Sequence, residues 1–167
     1  MSYRNKTYVI FDGDNDMWAY RFMRGWKQSE HIDFDFNDAH DLRPLTDRAS
    51  EETVKRSLRA RFSSAKQVIV LVGSNTKKNL YRFVRWEIQT AQELDLPIIV
   101  VNLNGKPYQD DEFCPPILRG WNAVHVPFKM KIIKHALDHF TGFYPTIPAD
   151  KKMWWYYNND VYMALGI

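Results

Sequence analysis

The chain has 167 residues and 45% apolar content, enough for one domain with a sizeable core and too much for wholesale disorder. Its 23 basic and 20 acidic residues leave a net charge of +3, too balanced to mark a nucleic-acid binder. The single cysteine, Cys114, excludes an intramolecular disulfide and a cysteine-based zinc site, and with no signal peptide and no run of about 18 apolar residues a soluble, cytoplasmic protein without a membrane partner is expected.

TYVIF (7–11) is a compact β-branched and aromatic run that breaks off at DGDND, which predicts a strand running into a loop. Trp18, Phe22 and Trp26 then recur at four-residue spacing across 16–28, a helical stripe. IDFDF (32–36) alternates apolar and acidic residues as a half-exposed or edge strand does, and the polar, proline-bearing stretch 37–47 is a loop. Ser50 suits a helix N-cap, with Glu51 and Glu52 in the first turn, where the dipole favours acids. Val54, Leu58 and Phe62 form the inner stripe of that helix. The basic cluster KRSLRAR (55–61) alternates with apolar residues and reads as the helix's solvated face rather than as a phosphate-binding patch.

QVIVLVG (67–73) is apolar throughout, as a strand buried on both faces is. After the loop SNTKKN a helix runs from about 79 to 95, and PIIVVNL (97–103) is a second continuous apolar strand. Residues 104–120 are irregular, AVHVPF (123–128) is a last short strand, and KMKIIKHALDHF (129–140) is a helix with Ile132, Ile133, Ala136, Leu137 and Phe140 facing inward. There the pattern stops. Residues 143–167, with Trp154, Trp155, Tyr156, Tyr157 and Tyr162, form an aromatic-rich C-terminal extension packed on the domain or on a partner. Strands alternating with helices over residues 1–142 imply a three-layer α/β fold with helices on both faces of a five-stranded, mainly parallel sheet in the flavodoxin-like order 2-1-3-4-5.

In such a fold ligands bind beyond the carboxyl ends of the strands, where the strand order reverses. That point lies between strands one and three, which end at Phe11-Asp12-Gly13-Asp14 and Gly73-Ser74-Asn75. The helix leaving strand three carries RFVRWEIQTAQEL (82–94). Phe83, Val84, Ile88, Ala91 and Leu94 fall on one arc of it, and Glu87 falls inside that arc. Burying a carboxylate is costly unless it is paired or opens onto a polar cavity. Glu87 is therefore either paired with Arg82, Arg85 or a base on a neighbouring helix, or it faces the crevice as a functional group; a wider buried arc is the third explanation.

Other motifs carry less. VIFDGDND followed by VIVLVGS resembles the first two motifs of the haloacid dehalogenase phosphatases, with Asp12 as nucleophile, Asp14 as acid and magnesium between them. Asp16 stands where that family has threonine or valine, and Asp110-Asp111 lie in the irregular segment rather than at a strand end. A response-regulator receiver needs an aspartate where Ser74 stands. The run Asp12, Asp14, Asp16 opens like a calcium loop, but its sixth position is Met17 instead of glycine. His31, His40, His125, His135 and His139 show no metal-ligand spacing, and Gly73 alone is no phosphate cradle. No metal site is expected.

VIVLVGSNT, a short basic loop, YRFVRWEI and the helix leading into PIIVVNLN resemble the bacterial TIR-like domains, with the TIR subunit of Thoeris antiphage defence systems the nearest likeness. The resemblance spans about residues 5–142 and is most specific over 69–88. TIR domains commonly carry an aromatic residue four positions before a glutamate on this helix; here the pair is Phe83 and Glu87. The resemblance implies an enzyme that cleaves the nicotinamide–ribose bond of NAD, the substrate, with no separate cofactor. Glu87 is then catalytic, stabilising the oxocarbenium character of the ribose. The product is an ADP-ribose-derived, in some members cyclic, signal to a separate effector. Asp12 and Asp14 border the nucleotide site where the family more often has serine, tyrosine and basic residues. Ser74 contacts ribose or phosphate, and Trp18 stacks on a base or packs. The loop 37–50, with Asp38, Asp41, Arg43 and Asp47, sits where TIR domains have the loop for self-assembly and gating. A non-catalytic TIR module that only assembles with partners is the alternative.

Overall fold

The computed structural model describes residues 7–28, 36–37, 50–78 and 83–167. In chain order they form β1 (Thr7–Ile10), α1 (Met17–Gln28), β2 (Phe36–Asn37), α2 (Glu51–Phe62), β3 (Gln67–Val72), α3 (Phe83–Glu93), β4 (Ile98–Asn102), β5 (Ala123–Pro127), α4 (Met130–Phe143), β6 (Trp155–Tyr156) and α5 (Asn159–Leu165). The sheet order is β2-β1-β3-β4-β5-β6, and every neighbouring pair is parallel. The alternation of apolar runs predicted five strands; the sheet has a sixth, two residues long, on the β5 edge. Of the predicted strand 32–36 only Phe36 is among the described residues, and the predicted loop 37–50 with Asp38, Asp41, Arg43 and Asp47 lies outside them apart from its two ends, as do the first residues of the helix expected from 79.

Cross-strand register shows why the central strands carry no polar alternation. Val9, Ile69, Ile99 and Val124 form one row across the sheet, and Tyr8, Val68, Ile98 and Ala123 the next. The first row packs with α1 and α4, among them Ala19, Met23, Ile133 and Leu137. The second packs with α2 and α3 through Leu58, Phe62, Ile88 and Ala91. Both sheet faces are dry, so a strand apolar at every position is what this burial demands. Each such side chain contributes about 1.5–3 kcal/mol on burial.

Local chemistry sets the helix ends. Ser50 caps α2 as its position suggested: its hydroxyl accepts from the Thr53 amide at 3.2 Å. α3 stops at Glu93 because Asp95 adopts a left-handed φ of 54°, while the Leu96 amide donates to Ala91 O and the Asp95 amide to Gln92 O. That pair of bonds is a Schellman stop. Leu94, expected on the inner arc, is the residue just before this turn and is exposed. The buried arc is instead the wider one: Val84, Trp86, Glu87, Ile88, Thr90 and Ala91 are all buried. Beyond Phe140 the chain does not lose its pattern, since α4 runs on to Phe143 and β6 and α5 follow.

Candidate functional site

The loop leaving β1 is built by its own aspartates. The main-chain oxygen of Asp12 accepts from the Asn15 and Asp16 amides at 3.3 and 2.8 Å, which closes a turn. The Asp12 carboxylate accepts from the Asp14 amide at 3.0 Å and from Asn15 Nδ2 at 2.7 Å. It is buried, whereas Asp14 is exposed. Asp12 thus spends both oxygens on holding the turn from which α1 starts, with Asp16 O accepting from Ala19 and Tyr20.

Asp16, which sequence reasoning met only in two motifs that fail, reaches across to the loop leaving β3. Its carboxylate lies against Gly73, where a Cβ would stand 2.7 Å from Oδ1. Thr76 Oγ1 donates to Asp16 Oδ2 at 3.3 Å and accepts from the Gly73 amide at 2.8 Å. Thr76 is fully buried and Asp16 nearly so. Burial above all, and then the charge of Asp12, push the Asp16 carboxyl up from 3.8 to about 6, against the opposing hydrogen bond from Thr76. Ser74, the residue the sequence favoured, is exposed on the same turn. Lys77 Nζ donates to Glu112 O, which ties this loop to the segment beyond β4.

Glu87 is the fifth residue of α3 and so lies in its second turn, on the helix that leaves this same edge of the sheet. It is 3% exposed and takes part in a polar or electrostatic interaction. Phe83, one turn earlier, is half-buried against the α2–α3 cluster. Trp18 is elsewhere. It belongs to α1 on the opposite face, is 47% exposed, and packs edge-on against Phe22 and Phe128 with centroids 6.2 and 5.6 Å away. The structure therefore brings Asp12, Asp14 and Ser74 to the switch point, joins Asp16 and Thr76 to them, and sets Glu87 and Phe83 on one side of the sheet and Trp18 on the other.

The irregular segment is a built loop. Asp110 accepts from Asn104 Nδ2 and from the Glu112 and Phe113 amides, with Lys106 Nζ at 3.6 Å. Burial alone would raise its carboxyl, but these donors outweigh burial and hold it below the usual range. Asp110 is thus the loop's organising group, not half of a catalytic pair. The rings of His135 and His139 meet at 4.2 Å, tilted by 39°, and His125 is fully buried on β5. Among the described residues no three His, Cys, Asp or Glu side chains converge as a metal requires.

Two signals in the sequence pointed to what was missed. Asp16 is the last acid before a helical stripe, where a side chain can turn toward the neighbouring strand end. Thr76 stands three residues after Gly73, the spacing at which a hydroxyl closes a turn on the first amide. No described helix is long and apolar enough to cross a membrane. Comparison with curated proteins returns no match. Residues 8–108 match the family described as Thoeris protein ThsB, TIR-like domain.

Proposed function

The chain belongs to the Thoeris ThsB TIR-like family, whose place is antiphage defence signalling, and from that premise we propose that it is an NAD-cleaving enzyme with Glu87 as its catalytic carboxylate. The bond between nicotinamide N1 and ribose C1′ breaks heterolytically. Its electron pair leaves with nicotinamide, which becomes neutral, and positive charge spreads over C1′ and the ring oxygen. A fixed carboxylate beside the ribose stabilises that charge as it develops, and a low-dielectric surround strengthens the effect. Water, or a nucleophilic atom of the ADP-ribose part itself, then bonds to C1′ and gives up its proton to solvent, which yields ADP-ribose or a cyclic relative that signals to a separate effector. The protein works in the cytoplasm, self-associates when triggered, and needs NAD only as substrate.

The observation that supports this best is Glu87 itself: a carboxylate 3% exposed within the buried arc of α3, one turn after Phe83. An acid held there by packing meets the demand for a preorganised charge better than one on a mobile surface chain. The test is nicotinamide release from NAD by the assembled or infection-activated protein. Glu87→Gln should lower it by about 100-fold or more, the scale on which fixed electrostatic groups act. Equal release by the two proteins removes Glu87 from the mechanism. The second reading is an assembly module without chemistry. It draws on Asp12, whose carboxylate accepts from the Asp14 amide and Asn15 Nδ2 at 3.0 and 2.7 Å and so serves its own turn.

A further inference from the structure

We propose that Asp16 and Thr76 are a positioning pair: they latch the loop after β1 to the loop after β3 and so set the mouth of the switch-point crevice for the nucleotide. The inference rests on the NAD-cleavage reading for its kinetic consequence, but the latch itself does not. Three contacts carry it. Gly73 N–H donates to Thr76 Oγ1, Thr76 Oγ1 donates to Asp16 Oδ2, and the Asp16 carboxylate occupies the space a Cβ at Gly73 would need. One hydroxyl thus spends its proton on one loop and a lone pair on the other. Sixty residues of chain separate the two ends of the Thr76–Asp16 bond, so nothing local explains it. Ser74 lies inside the latched turn, and the same loop leads on to α3 and Glu87.

Linkage gives the latch a direction. Of the groups facing Asp16, Asp12 is the charged one; Gly73 and Thr76, from the other loop, are neutral. A carboxyl that binds its proton more tightly when closed in than when hydrated stabilises the closed form on protonation. The latch therefore tightens as pH falls through about 6 and loosens above it. Asp16 touches no substrate in this scheme and acts through the position of Ser74 and the loop backbone.

The test uses the full-length protein with Thr76→Val, which keeps the branched shape and loses the hydroxyl, and Thr76→Ser, which keeps the hydroxyl. Amide hydrogen exchange needs no NAD. Thr76→Val should speed exchange about fivefold in residues 12–16 as well as in 73–76, the population change one lost hydrogen bond gives, and Thr76→Ser should restore both. Faster exchange confined to 73–76 overturns the latch. In the NAD assay Thr76→Val should raise KM about fivefold with kcat within about twofold, and Thr76→Ser should restore KM. Unchanged constants in Thr76→Val alongside an active parent overturn the positioning role. A parent that releases no nicotinamide sinks the NAD reading alone, since hydrogen exchange still decides the latch.

Discussion

At the scale of single residues, two buried titratable groups pull on stability in opposite directions. Asp16 has a folded pKa of about 6 against 3.8 unfolded, so the native state holds its proton longer. Its contribution is fully present below the unfolded value and is lost as pH rises through the folded one. His125 behaves the other way. It is 0% exposed, neither ring nitrogen has a hydrogen-bond partner among the described residues, and burial pushes it down from 6.5 to about 4. Its contribution is present above the unfolded value and is lost as pH falls toward the folded one. Between pH 7 and 5 acidification should therefore gain about 1 kcal/mol from Asp16 and cost about 2 kcal/mol at His125, leaving a shallow profile. Each variant unmasks the other group. Asp16→Asn should make stability fall more steeply on acidification, and His125→Phe should make it rise. Denaturant melts at pH 5, 6 and 7 measure both slopes, and parallel profiles for the two variants would refute the assignment.

At the scale of elements, α3 shows what a sequence reveals and what it hides. Its existence was legible from spacing alone, because Val84, Ile88 and Ala91 repeat at helical intervals. Its buried arc was drawn too narrow. Trp86 and Thr90 are buried as well, since α3 packs against both the sheet and α2, where the Arg59–Glu93 pair at 3.1 Å joins the two helices at the surface. Its end was hidden because the left-handed stop position holds an aspartate in place of the usual glycine. Tyr144 explains why an acid is kept there: its hydroxyl donates to Asp95 Oδ1 at 2.6 Å and ties the end of α4 to the end of α3. Asp95→Ala should therefore lose about 1 kcal/mol to backbone strain and about 1 kcal/mol for the hydrogen bond, while Tyr144→Phe loses only the second part. Thermal unfolding of both variants separates the two terms. Equal losses would mean that the left-handed turn carries no strain.

At the scale of the whole molecule, the strand order was readable because both dry faces force unbroken apolar runs, and the switch point between β1 and β3 followed from the order. Asp16 and Thr76 each left a local signal, but their meeting was not readable, since a contact between loops so far apart in the chain leaves no periodicity. Nor was β6, because two residues are too short for an alternation to register. Yet β6 extends a row already present: Trp155 is in register with Val124 and packs in the cluster of α1 and α4, with Tyr157, Val161, Tyr162 and Leu165 beside it. Asn122 clasps the approach, donating to Lys151 O at 2.6 Å and accepting from the Met153 amide at 3.1 Å. Lys151 sits 5.1 Å over the Trp155 ring, and Lys131 Nζ donates to Leu165 O near the chain end. A bare β5 edge beside uncovered apolar side chains would invite pairing with other chains. Deleting residues 153–167 should therefore lower stability by about 3–6 kcal/mol, as expected for several half-buried apolar side chains, and should raise light scattering on concentration. Glu87 stands on the opposite face of the sheet, so nicotinamide release per folded molecule should survive the deletion. A truncated chain that melts with its parent and stays monomeric would show that residues 153–167 lend the domain no stability and are free to serve a partner.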